Sequence, residues 1–133
     1  MPEARTVPGK AARAGALQGL HVLVVEDEYL LAQELCRGLA SEGARVMGPA
    51  PRLDAALDLL ERSPPPSLAI LDVSLQGQMV WPLADALAGR GIPFVLVTGY
   101  DADAIPEAYA GVPRCGKPVD LARLVRVLLS RLG

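Results

Sequence analysis

Aromatic residues are scarce in this chain: one Trp, one Phe and three Tyr among 133 residues. A core built on ring packing is therefore excluded, and an aliphatic one is expected, because Ala, Leu and Val supply most of the hydrophobic half of the sequence. A large excess of either charge is also missing. The formal net charge is −2 and no long run of like charge occurs, which argues against a nucleic-acid-binding surface. Cysteine is limited to Cys36 and Cys115, which share no metal-type or redox-type spacing with each other or with the single His21. Two lone cysteines without a secretory signal read as reduced thiols. No apolar stretch reaches the roughly 20 residues that span a bilayer, and Met1-Pro2-Glu3-Ala4-Arg5 lacks the charged-then-apolar order of a signal peptide. A soluble, cytoplasmic chain is expected, with no nucleic-acid or membrane partner and with room for one domain.

What is present is an alternation. Residues 1–19 are small, polar or Gly/Pro-containing and are expected as a flexible tail, with the domain running over 20–132. Leu20-His21-Val22-Leu23-Val24-Val25 is a β-branched-rich run, the pattern of a strand buried on both faces. Leu31, Leu35 and Leu39 then recur at helical spacing from Tyr29 to Glu42, with Gly43 as the C-cap. A short second strand spans Ala44 to Gly48. Leu53, Ala56, Leu57 and Leu60 mark a second helix, stopped by Pro64-Pro65-Pro66. Ser67 to Leu71 is a third strand, and Val80, Leu83, Ala84, Leu87 and Ala88 form the stripe of a third helix. Phe94 to Val97 is a fourth strand, followed by a short, weak helix near Ala102 to Ala110. Val112 to Cys115 is a fifth strand, and Leu121, Leu124, Val125 and Leu128 mark a closing helix. Alternation of this kind predicts an α/β fold, a parallel sheet covered by helices on both faces. Right-handed crossovers place every strand's C-terminal end on one edge, where such sheets bind ligands.

The residues just past those ends carry the chemistry. Glu26, Asp27 and Glu28 follow the first strand, Asp72 the third, Thr98 the fourth and Lys117-Pro118 the fifth. Each alone has an ordinary explanation: an acid after a strand is commonly a turn residue or N-cap, and a Lys-Pro a surface turn. Their joint occurrence, in order, does not. Carboxylates about 4 Å apart repel by roughly 4 kcal/mol near a protein surface, and a hard divalent cation relieves that repulsion. Mg²⁺ takes one or two carboxylates plus waters and phosphate oxygens, which suits Asp27, Asp72 and a phosphoryl group. Lys117 and Thr98 would contact the phosphoryl oxygens, and Asp72, ending a buried strand, is placed as a nucleophile.

Val24-Val25-Glu26-Asp27-Glu28, Leu71-Asp72-Val73, Val97-Thr98-Gly99 and Lys117-Pro118 together resemble the motifs of the receiver domain of two-component response regulators. The resemblance spans about Leu20 to Leu132. It implies a doubly wound, flavodoxin-like five-stranded parallel sheet in the order 2-1-3-4-5. It also implies Asp72 as phosphoacceptor, Asp27 as a direct Mg²⁺ ligand and Glu26 as one acting through water. The backbone carbonyl of Ser74 would be a further ligand, with Thr98 as switch hydroxyl and Lys117 as the site lysine. Phe94-Val95-Leu96-Val97-Thr98-Gly99-Tyr100-Asp101 with Ile105-Pro106-Glu107 further resembles the FATGUY-type single-domain regulators, although Leu96-Val97 stands where Phe-Ala is usual.

The sequence departs from the family pattern in three places. Ser74-Leu75-Gln76-Gly77 stands where many receivers carry Met-Pro. Gly116 precedes the lysine, and Arg114 occupies the position of an aromatic that rotates inward on activation. A guanidinium does not bury as a ring does, so the usual switch is in doubt and Tyr100 is the candidate replacement. His21 and Trp81 are read as structural, and Cys36 and Cys115 as packing residues. The expected function is a single-domain regulator with no output domain. It accepts phosphate on Asp72 from a sensor histidine kinase or histidine phosphotransferase, and then docks on a protein partner or acts as a phosphate sink. No turnover enzyme is expected. The face of the last two helices and last strand is a candidate homodimer surface. Two other classes stay open: a pseudo-receiver that is never phosphorylated, and an aspartate-dependent phosphatase of the haloacid-dehalogenase type. The phosphatase would want an Asp where Ser74 stands.

Overall fold

The computed structural model describes residues 15–62, 64–99 and 105–132. Its main sheet has five parallel strands, β1 (His21–Val25), β2 (Arg45–Ala50), β3 (Leu68–Asp72), β6 (Phe94–Thr98) and β7 (Arg114–Gly116), in the order β2-β1-β3-β6-β7. Apart from the two short strands β4 (Ser74–Leu75) and β5 (Gln78–Met79), which form a separate antiparallel hairpin, this is the expected 2-1-3-4-5 arrangement. Four α-helices occur among the described residues: α1 (Tyr29–Ser41), α2 (Leu53–Leu60), α3 (Trp81–Gly89) and α4 (Leu121–Leu132).

Strand periodicity divides the core in two. Leu23 and Val25 of β1, Ala69 and Leu71 of β3, and Phe94 and Leu96 of β6 face one layer with α2 and α3. Val22 and Val24, Leu68 and Ile70, and Val95 and Val97 face the other, with Leu35 and Leu39 of α1 and Leu124 and Leu128 of α4. Successive side chains point to opposite faces, so strands covered on both sides must be apolar throughout. Every residue of β3 and β6 is buried. The helix stops follow the sequence too. Gly43, at φ +91, ends α1: its N–H donates to the Ala40 carbonyl (3.0 Å) while that of Ala44 donates to Leu39 (3.1 Å), a Schellman closure.

The structure differs from the sequence expectation in three places. Residues 1–14 of the expected tail lie outside the described residues, but 15–19 form turns that belong to the domain. Leu17 is fully buried beside α1 and its N–H donates to the Glu42 carbonyl (2.9 Å). Between β6 and β7, the expected weak helix is, among the described residues, a single 3₁₀ turn at Glu107–Tyr109. Residues 100–104 of that segment, which include Tyr100, lie outside them. The β4–β5 hairpin directly after Asp72 was not expected at all.

Burial of Leu17 has a measurable consequence. Leu17→Ala is expected to lower unfolding free energy by about 2–5 kcal/mol, the range for truncating a buried leucine. Urea denaturation checks it, and an unchanged midpoint would place residues 15–19 outside the cooperative unit.

Candidate functional site

Four strand ends meet at one edge of the sheet. Glu26 immediately follows β1, and its N–H donates to the Ala50 carbonyl (3.0 Å), which holds its side chain inside the edge at 2% exposure. Asp72 is the last residue of β3 and Thr98 the last of β6; both are 4% exposed. Lys117 follows β7, and its N–H donates to the Thr98 carbonyl (3.0 Å). The β6–β7 register is thus carried one residue past the strand and aims the lysine across the edge. Its Nζ lies 3.0 Å from Asp72 Oδ2, 3.4 Å from Glu26 Oε2 and 3.7 Å from Glu28 Oε1.

Backbone amides also donate to these carboxylates. Ser74 N–H donates to Asp72 Oδ1 (3.3 Å), Gln76 N–H to Asp27 Oδ2 (2.9 Å) and Glu28 N–H to Glu26 Oε2 (3.0 Å). Glu26 Oε1, however, is buried with no hydrogen-bond partner. A cavity of about 380 Å³ opens over the site, lined by Asp27, Asp72, Ser74, Gln76, Gly99 and Lys117 among others.

The electrostatics follow from crowding. Burial, then proton sharing with Asp72, pushes the Glu26 carboxyl from its ordinary 4.5 up to about 8, although the Glu28 amide and Lys117 pull the other way. A proton on Glu26 can be given to Asp72 as a hydrogen bond; once it is lost, two buried acceptors face each other. Lys117 is shifted upward as well, which for a lysine favours the charged form. Burial works against its charge, yet the Asp72 and Glu26 carboxylates together hold its ammonium above the usual lysine range. One oxygen from each of Glu26, Asp27 and Asp72 lies within 4.8 Å of the others. Three carboxylates against one ammonium, with one buried oxygen lacking a donor, make a donor set suited to a hard divalent cation.

All the sequence-predicted residues, Glu26, Asp27, Asp72, Ser74, Thr98 and Lys117, therefore gather at this edge. Glu28 also reaches Lys117, which the sequence reading did not assign. The Gln76 amide was missed as well, although a Gln-Gly pair between Leu75 and Gln78 resembles the X-Gly signal of a tight hairpin. Arg114 does not enter the site; its guanidinium donates to the Ala110 carbonyl (3.1 Å) at the end of the 3₁₀ turn. Trp81 stacks on Tyr109 with ring centroids 5.5 Å apart, a packing role as expected. His21 opens β1, Cys115 is buried in β7, and Cys36 is half-buried on α1. Among the described residues no helix is long and apolar enough to cross a membrane.

No protein-family model matches the chain, and no curated protein sequence does. Solved structures do match. SdrG from Sphingomonas melonis Fr1 is 34% identical over 89% of this chain and 98% of its own, with a TM-score of 0.76. The signal receiver domain of a modulated diguanylate cyclase from Desulfovibrio desulfuricans G20 is 28% identical over 85% of this chain and 93% of its own, at TM-score 0.69. A CheY-like response regulator receiver domain protein from Methanospirillum hungatei JF-1 shares the fold at TM-score 0.73, with 24% identity over 85% of this chain and 93% of its own.

The raised Glu26 carboxyl predicts a pH dependence for the metal-free protein. A folded-state value near 8 against an ordinary 4.5 means that the folded chain holds the extra proton between those limits. Its stabilising contribution is complete below about 4.5 and is lost as pH rises through 8. In EDTA, wild-type stability should therefore decline relative to Glu26→Gln over that window. Parallel denaturation curves at each pH would show that the carboxyl is not so shifted.

Proposed function

The chain belongs to the receiver domains of response regulators, and from that premise we propose that Asp72 accepts a phosphoryl group in a Mg²⁺-dependent transfer. The donor is a phosphohistidine on a sensor histidine kinase or histidine phosphotransferase. The observation that carries this reading is the pairing of a buried Asp72 with Lys117 at 3.0 Å, beside two further carboxylates with an unsatisfied buried oxygen.

In the transfer, an Asp72 carboxylate oxygen attacks phosphorus, the P–N bond to histidine breaks and the imidazole leaves, taking up a proton. Phosphoryl transfer asks a protein mainly for position and charge neutralisation. Glu26, Asp27, Asp72 and the Ser74 carbonyl would hold Mg²⁺, which neutralises phosphoryl charge when bound. Lys117 stands on the other side of Asp72 and would move from a carboxylate to a phosphoryl oxygen. Thr98, ending the neighbouring strand, supplies a hydroxyl at the same edge. Hydrolysis reverses the state: water attacks phosphorus, the acyl-phosphate bond breaks, and Asp72 regains its carboxylate.

A phosphorylated state must be favoured by about 5.5 kcal/mol to move a 1:99 balance to 99:1, and the Lys117 and Thr98 contacts are the natural source of that difference. Signalling then proceeds by docking on a protein partner or by draining phosphate from a kinase. The narrower assignment, a FATGUY-type regulator, rests on the sequence from Phe94 to Asp101 with Ile105-Pro106-Glu107. Arg114, bound to Ala110 rather than free to rotate inward, favours one variation: a switch that works without the aromatic at that position.

Incubation with a small-molecule phosphodonor and Mg²⁺ is expected to add one phosphoryl group by intact mass, and neither Asp72→Ala nor the metal-free protein should gain it. A phosphoryl group retained in Asp72→Ala would rule out the assignment. No gain, with no Mg²⁺ binding, would make the chain a pseudo-receiver.

A further inference from the structure

The segment after Asp72 folds back on the site in a way the transfer itself does not explain. Ser74 pairs with Met79 and Leu75 with Gln78, leaving a two-residue tip, Gln76-Gly77. Both tip residues have positive φ, +50 at Gln76 and +86 at Gly77, the left-handed pair of a type I′ hairpin turn. For glycine that conformation is free of steric penalty, but for glutamine it is unfavourable. Such a residue persists where its surroundings over-determine it. Here they do. Leu75 is buried in the core, Val80 N–H closes the hairpin base on the Val73 carbonyl (2.9 Å), and Ser74 N–H reaches Asp72. At the tip, the Gln76 N–H donates to Asp27 Oδ2 at 2.9 Å.

Asp27 needs such a partner. It lies between β1 and α1, outside both, and among the described residues no other hydrogen bond or ion pair holds its carboxylate. We propose that the Gln76-Gly77 turn is the positioning element for Asp27, its backbone N–H fixing one carboxylate oxygen so that the other is presented to the cation. The inference rests on Asp27 being a metal ligand, as set out above. An outer donor of this kind orients a ligand before the metal arrives, and losing one typically weakens metal affinity by roughly 10–100-fold. Because the amide and not the exposed side chain is used, the identity of residue 76 matters little, provided that it tolerates positive φ. Gly77 matters more. Nothing lies within 4 Å of a Cβ built there, so a substitution strains the turn without a clash.

The test is Mg²⁺ titration of the full chain by calorimetry, with no phosphodonor present. Gln76→Gly, which keeps the N–H and suits the backbone, is expected to bind within about twofold of wild type. An ester at the Leu75–Gln76 linkage, which deletes that N–H and leaves every side chain in place, is expected to weaken Mg²⁺ binding by about 10–100-fold. Wild-type affinity in the ester protein overturns the proposal while leaving Asp27 as a ligand. Should the ester protein fail to refold, Gly77→Val decides by the same criterion. Absence of Mg²⁺ binding in the wild type would overturn the metal site itself, and with it this role for the turn.

Discussion

One ammonium holds the edge of this sheet together. Lys117 lies within 3.0 Å of Asp72 and 3.4 Å of Glu26, two carboxylates that are almost wholly buried. One oxygen from each of these two acids lies within 4.8 Å of the other, where like charges repel by several kcal/mol unless something positive stands between them. The lysine comes from the last strand of the sheet and the acids from the first and third, so the site exists only once the sheet is complete. Its accuracy derives from the hydrogen bond of the Lys117 amide to Thr98 and the parallel register of β6 with β7. Electrostatics and topology are thus one constraint here.

The lysine does not finish the neutralisation. Glu26 retains an unpartnered oxygen and a carboxyl held near 8, signs of an edge with more acid than base. Under the proposed function a divalent cation would complete the balance, and a phosphoryl group would bring negative charge for lysine and cation to share. The same imbalance suits neither a dry core nor an open surface. Around the site the apolar layers do quiet work: strands buried on both faces leave the C-terminal edge as the place where polar groups can gather.

Much of this was legible in the sequence. The buried strands announce themselves because burial on both faces demands continuous apolar runs, as in Val22 to Val25 and Phe94 to Val97, and the strand exits then assign Asp27, Asp72, Thr98 and Lys117 to one edge. What escaped was tertiary or conformational. Leu17 sits in a short stretch of small residues and glycines, and the carbonyl that receives its N–H belongs to Glu42, 25 residues further on, so no local period marks it. The β4–β5 hairpin is too short for alternation to register, and its tip places a glutamine at positive φ, which residue preference argues against. The partner of Arg114, the Ala110 carbonyl, depends on a 3₁₀ turn where the sequence suggests a longer helix.

In the proposed function, Asp72, Lys117 and a bound cation form a socket for a phosphoryl group. Beryllofluoride, a phosphoryl mimic that needs both a carboxylate and a metal, tests it most directly by ¹⁹F NMR. A protein-bound fluoride signal is expected in the presence of Mg²⁺, and it should disappear in EDTA and in Asp72→Asn. A bound signal that survives in Asp72→Asn, or none in the wild type with Mg²⁺ saturating, would contradict it.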